Sequence, residues 1–319
     1  MKILKSHFKT RIENMIKHKE ALGFSASSYL VYLRRFDEHC QSRFPDEQEL
    51  TKELVMSWAR KRDSETINSL NRRLAAIREF ARYLVSIGEP AYVYPQKMSP
   101  PQTRYIPHIF TDYELSMFFK GADSFDESPD DVLHQYIVPV IFRITYCCGL
   151  RPSEGRLIKT NDIDFDTGRV YIRESKRHKD RTIMFSDDIL HLCNAYNTIL
   201  NRTIGSSEYF FPDMHGQPRE HKWLICQFKK CWEVSGISEF DNPQARIYDF
   251  RHTFATRWFQ GCIDRNDDLY SLLPYLSAYM GHSNFSNTAY YIHLLPDRLK
   301  ASPSIDWYTF SNLIPEVES

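Results

Sequence analysis

Apolar residues recur every three or four positions through most of the chain, the period of helices buried along one face. Residues 5–21 carry Phe8, Ile12, Met15 and Ile16, and residues 26–42 carry Tyr29, Tyr32, Leu33 and Phe36 behind a serine-rich start. Two further helices are predicted over 50–61 and 66–87, the last stopped by Gly88 and Pro90. The four make one helical unit. The period then vanishes, because residues 91–106 bring Pro95, Pro100 and Pro101, with Pro107 close behind, and read as an extended linker. The expected organisation is a helical domain over 1–98, a linker over 99–106, and a second domain over 107–319 that ends in a tail, 299–319.

The second part opens on Thr111, followed three residues later by Glu114, the signature of a capping box, and a helix is expected to about residue 120. An acidic loop runs from Asp123 to Asp131. Residues 131–148 are apolar almost throughout and predict a buried helix, with a kink or fresh start at Pro139 and a left-handed end at Gly149. Pro152 then suits the first position of a short helix. Over 161–185 the pattern changes to short apolar alternations, Ile163–Phe165, Arg169–Arg173 and Arg181–Phe185. They are separated by a turn at Asp166-Thr167-Gly168 and a polar tip at 174–180, and predict three antiparallel strands. Helices resume near 186–201, 219–235, 249–262, 269–280 and 284–292. The fold class is therefore mainly α with a small antiparallel sheet, a helical first domain and an α+β second domain.

At 319 residues and 42% hydrophobic, the chain suffices for two cores. No apolar run approaches the roughly 20 residues of a membrane span, and the amino terminus lacks a signal-peptide pattern, so the expected location is the cytoplasm, without membrane partners. Seven cysteines, odd in number and without a Cys-x-x-Cys, read as buried thiols rather than disulfides or metal ligands. The formal charge is zero, yet residues 1–99 hold 18 Lys and Arg against 12 Asp and Glu. Arg72, Arg73, Arg78 and Arg82 at helical spacing are candidate phosphate contacts, although a solvated helix face gives the same pattern.

Candidate chemistry lies in four separated segments. Arg151 stands at a helix start within Gly149-Leu150-Arg151-Pro152-Ser153-Glu154, and Lys176 stands at the hairpin tip. Arg251 lies in Tyr248-Asp249-Phe250-Arg251-His252-Thr253-Phe254-Ala255-Thr256, and His282 follows Gly281 nine positions before Tyr291. A tyrosine pair in an aromatic-rich chain is, alone, ordinary packing. The order, flanks and internal spacings of all four segments, however, resemble the tyrosine recombinases, the family of lambda-type phage integrases and chromosome-dimer recombinases, over roughly residues 107–295. By architecture alone, the first domain and its proline-rich linker resemble that family's helical, SAM-like core-binding domain.

The resemblance implies a two-domain, DNA-clamping enzyme that cleaves and rejoins DNA at specific sites through a 3′-phosphotyrosine, without cofactor or metal. Such chemistry needs an oxygen nucleophile, donors for the non-bridging phosphate oxygens and an acid for the leaving 5′ oxygen. The matching residues are Tyr291 as nucleophile, Arg151 and Arg251 as phosphate forks, Lys176 as general acid and His282 as a phosphate donor. Tyr290 is the rival nucleophile, and Arg177 and Lys179 are rivals to Lys176. Glu154 and His252 are expected behind them, holding arginines or backbone, and Asp249 is expected as an N-cap. Tyr248 departs from the family pattern, which has histidine or lysine there, and a neutral phenol is a poor proton acceptor near neutral pH. Double-stranded DNA is the expected partner, with a homo-tetramer on DNA and a monomer or weak oligomer off it. The apolar tail 299–319 is expected to pack on its own domain or on a neighbouring protomer. A type IB topoisomerase and a non-catalytic DNA-binding regulator with a decayed site remain open as alternatives.

Overall fold

The computed structural model describes residues 4–24, 27–101, 105–126, 128–173, 180–237, 245–282 and 284–291. The chain divides into two compact units, Met1–Tyr105 and Ile106–Ser319.

The described residues of the first unit form four α-helices, α1 (Lys9–Ala21), α2 (Ser27–Arg43), α3 (Lys52–Ala59) and α4 (Ile67–Ser86), and a short 3-10 turn at Gln96–Met98. Their apolar stripes close on one core, in which the Phe36 ring meets Phe8, Trp58 and Phe80 at centroid distances of 5.5–6.4 Å. Threonine side chains cap α3 and α4: Thr51 accepts from the Leu54 N–H and Thr66 from the Ser69 N–H. Part of the segment expected as an extended linker is bonded to α4. Asn71 donates to the Pro100 carbonyl at 2.8 Å, and Arg78 donates to the Tyr94 carbonyl at 3.0 Å and the Ser99 hydroxyl at 2.8 Å.

The second unit contains α5 (Asp112–Asp123), α6 (His134–Cys147), α7 (Pro152–Arg156), strands β1 (Arg169–Ile172) and β2 (Arg181–Met184), α8 (Asp187–Ile204), α9 (His221–Val234), α10 (Asp249–Asp264), α11 (Leu269–Tyr279) and α12 (Ser286–Ala289). The capping box of α5 forms as its sequence requires. Helix α6 runs through Pro139 without a restart. The sheet has two strands where three were expected: β1 and β2 pair antiparallel with Ile172 opposite Arg181, and the third segment contributes only a bridge from Ile163 to Val170. Four phenylalanines, Phe118, Phe142, Phe228 and Phe250, centre the main core and tie α5, α6, α9 and α10 together. A smaller cluster joins Phe259 and Cys262 of α10 and Leu273 of α11 to Ala289 and Tyr291. The seven cysteines are free thiols; five are buried, while Cys147 and Cys226 are exposed, contrary to expectation. No helix among the described residues is long and apolar enough to cross a membrane.

Candidate active site

Three guanidiniums converge on one buried carboxylate. Helix α6 ends at Gly149, whose φ of +57° turns the chain sharply, and a Cβ there would lie 2.4 Å from the Phe254 ring. That turn delivers Arg151 to the N-cap of α7 and Glu154 to its third position, where the carboxylate accepts the Arg151 backbone N–H at 2.9 Å. Glu154 also accepts from the Arg151 guanidinium and, through both oxygens, from Arg181 at 3.0 and 2.9 Å; Arg251 lies 4.0 Å away. Burial alone would raise its pKa, but the hydrogen bonds and charge of Arg181, then those of Arg151, hold the carboxyl at about 2.

Arg251 comes from the first turn of α10. That turn is pinned by Phe250 in the core and by Asp249, which accepts the Arg246 N–H at 2.8 Å from the first helical position rather than acting as the expected N-cap; Tyr248 is the N-cap. The Arg251 side chain is fully buried, and burial pulls its pKa down. It donates to the carbonyls of Gly149, at 2.6 Å, and Met280, and to Nε2 of His282 at 2.9 Å. Arginine has no acceptor, so Nε2 accepts and the imidazole proton sits on Nδ1, where it donates to the Thr288 hydroxyl at 2.6 Å. Burial first and the neighbouring guanidiniums second lower the His282 pKa to about 3, consistent with that neutral tautomer.

Tyr291 lies at the edge of this cluster. Its ring is nearly parallel to that of His282 (centroids 6.0 Å, 24°) and 5.4 Å from His252, whose own ring is 5.2 Å from Tyr248. Only 3% of Tyr291 is exposed, and burial pushes the phenol up to about 12 against the opposing pull of Arg251. His252 is lowered to about 4 by burial and by Arg251, and its Nδ1 is buried without a hydrogen-bond partner. Tyr248, in contrast, is 39% exposed.

The structure thus brings together Arg151, Arg251, His282 and Tyr291, with Glu154 and His252 behind them. Lys176 and its rivals Arg177 and Lys179 lie outside the described residues, as do residues 299–319. Two site residues escaped the sequence reasoning. Arg181 opens β2 and resembles any charge beside a hairpin tip; Thr288, within the helical stretch after His282, carries no signal of its own. In the first unit, two of the four candidate phosphate contacts are corrected. Arg73 is 2% exposed, donates to the carbonyls of Trp58 and Arg60 and forms a two-pronged pair with Glu65; Arg78 is 8% exposed and bonded to Tyr94 and Ser99. Both are structural. Arg72 and Arg82 are exposed, Arg82 paired with Glu79 at 2.8 Å.

Residues 122–298 match the phage integrase family, and residues 14–88 match the phage integrase N-terminal SAM-like domain. The chain belongs to that family. More particularly, it is a tyrosine site-specific recombinase, an enzyme that breaks and rejoins DNA strands; the topoisomerase and non-catalytic alternatives are not favoured. It is 25% identical over 289 residues to a putative integrase/recombinase, y4rE, of Sinorhizobium fredii, covering 88% of this chain and 90% of that one. It is 27% identical over 238 residues to the tyrosine recombinase XerC of Staphylococcus saprophyticus, covering 73% of each. Its fold is similar to that of XerH recombinase in a post-cleavage complex with a palindromic difH substrate (TM-score 0.65, 19% identity, 92% of this chain and 83% of that one). It is also similar to a lambda integrase dimer bound to a COC′ core site (TM-score 0.64, 14% identity, 88% and 94%).

Proposed function

We propose that Tyr291 attacks a phosphodiester of double-stranded DNA while Arg151 and Arg251 neutralise its non-bridging oxygens. The observation that carries this is the convergence of three guanidiniums from distant segments, Arg151, Arg181 and Arg251, upon Glu154, with His282 bonded to Arg251 and Tyr291 beside His282. The surplus positive charge, partly shielded from water, suits a phosphate that gains charge in the transition state. His282 joins them by the opposite tautomer once Arg251 turns its Nη2–H from His282 to the phosphate: the Thr288 hydroxyl then donates to Nδ1, and Nε2–H is free to donate to a phosphate oxygen. Lys176, in the connection from β1 to β2, delivers the proton to the leaving 5′ oxygen. Attack requires Tyr291 to leave its buried, protonated setting, so DNA binding must expose the phenol, which gives up its proton to water as the bond to phosphorus forms and the bond to the 5′ oxygen breaks.

The helical domain (1–98), linker (99–106) and catalytic domain (107–319) act together on DNA, the first through exposed basic residues such as Arg72 and Arg82. The working assembly on DNA is a homo-tetramer, the free protein is a monomer or weak oligomer, and the setting is cytoplasmic. The test begins with a random-sequence pool of nicked duplexes, from which the wild-type protein's covalently trapped DNA is sequenced to give its target site. On that site, Tyr291→Phe should bind with near wild-type affinity and form no adduct, while Tyr290→Phe forms it. An adduct from Tyr291→Phe overturns the assignment.

A further inference from the structure

Arg181 has no role in the chemistry assigned above, yet its guanidinium is one of the most constrained in the second unit. Its side chain is 8% exposed. Every nitrogen of its fork is used: Nε donates to the Tyr279 carbonyl at 2.6 Å, and the two terminal nitrogens donate to the two oxygens of Glu154. Residue 281 must be glycine for the same reason, since its φ is +63° and a Cβ would come within 2.9 Å of Arg181 Nη1. The surrounding bonds close a ring. Glu154 holds Arg151, Arg151 Nη2 donates to the Gly281 carbonyl at 2.7 Å, and Gly281 packs on Arg181.

This ring joins elements far apart in sequence. Arg181 is the first residue of β2, paired with Ile172 across the base of the connection that carries Lys176. Glu154 belongs to α7, and Tyr279 and Gly281 bracket the turn that leads into His282. We infer that Arg181 is a positioning residue for strand cleavage: it anchors the base of the β1–β2 hairpin to the carboxylate that orients Arg151 and to the turn that carries His282. Its second effect is to occupy Glu154. A carboxylate released by Arg181 would close on Arg151 and Arg251 as a two-pronged acceptor, filling donors that the phosphate needs. The charge balance changes in the same direction, from three guanidiniums per carboxylate to two. The guanidinium shape matters as much as its charge, because one ammonium cannot span two carboxylate oxygens and a carbonyl together.

The inference rests on Arg151 contacting the scissile phosphate, so its test separates the two ideas. Wild-type protein, Arg181→Lys, Glu154→Gln and the double variant are compared on the nicked duplex recovered by trapping, with affinity measured by mobility shift and single-turnover cleavage at saturating protein. Arg181→Lys keeps the charge and avoids burying an unpaired carboxylate, which guards against a variant that merely unfolds. Arg181→Lys should bind within about 3-fold of wild type and cleave about 10- to 100-fold more slowly, the scale expected of a misplacement of roughly 1 Å. The double variant should lose much less than the product of the two single losses, because a large part of the action of Arg181 runs through that carboxylate. Wild-type cleavage by Arg181→Lys overturns the inference, as does a double variant whose loss is the product of the two single losses. Failure of the wild-type protein to form an adduct at Tyr291 would instead remove the functional reading on which it stands.

Discussion

Acidification from pH 7 to 5 should destabilise the second unit through two buried imidazoles. His282 and His252 have pKa values lowered to about 3 and about 4, in both cases by burial first and by guanidinium charge second. In the unfolded chain each titrates near its ordinary value of about 6.5. Below that pH the unfolded state binds two protons that the folded state refuses, so stability falls as pH falls, by about 1.4 kcal/mol per unit for each histidine. Across the interval from about 6.5 to 5 the two together give about 4 kcal/mol, which partial solvent access reduces to about 2. That is a substantial part of a typical total of about 5–15 kcal/mol. Glu154 does not contribute in this window: its pKa is depressed to about 2, so its stabilisation is lost only as pH falls below about 4.5. The assay is urea unfolding at pH 7, 6 and 5, followed by tryptophan fluorescence in a Trp58→Phe background so that the first unit's core tryptophan is silent. His252→Phe removes one of the two protons and should cut the pH slope by about half. A flat stability between pH 7 and 5, or an unchanged slope in His252→Phe, refutes the account of these histidines as buried and neutral.

Arg151→Lys and Arg251→Lys should each slow cleavage by about 100-fold or more, since one preorganised donor is worth about 3 kcal/mol in a transition state. Arg251→Lys should also lower the melting temperature more than Arg151→Lys, because only Arg251 is fully buried and bonded to the Gly149 and Met280 carbonyls. Gly281→Ala should destabilise the fold by about 1–2 kcal/mol through its left-handed backbone, with a further loss from displacing Arg181, read by chemical denaturation. Arg72→Ala should weaken DNA binding and reduce the slope of log affinity against log salt by about 1, whereas Arg73→Ala should lower the melting temperature of the helical unit by leaving Glu65 unpaired; the reverse pattern would restore Arg73 as a phosphate contact.

Periodicity locates the helices because each buries one stripe, and the Thr111–Glu114 box and the Gly149 turn are legible because their chemistry is local. Arg151, Arg251, His282 and Tyr291 were legible because each lies in a short motif with fixed neighbours. Arg181 and Thr288 were not, because their roles exist only after folding: a strand-end arginine and a helical threonine look the same whether they meet solvent or a buried partner. The arginines of α4 show the same limit. Helical spacing placed Arg72, Arg73, Arg78 and Arg82 on one helix but could not say that Glu65 and the chain over 94–99 would claim two of them. Pro139 predicts a kink or a fresh start, yet the surrounding apolar packing keeps α6 one helix, so tertiary burial outweighs one lost hydrogen bond. The segment at 163–165 has strand-like residues but shares only one bridge, at Ile163, with β1.

The most direct test of the central claim is to digest the covalent protein–DNA adduct, formed by the wild-type enzyme on its trapped nicked site, and to map the attached nucleotide by mass spectrometry. The account predicts a 3′-phosphoryl nucleotide on the phenolic oxygen of Tyr291, and no modified peptide from Tyr291→Phe. Attachment at Tyr290 or at any other residue, or a 5′-phosphoryl linkage, would contradict it.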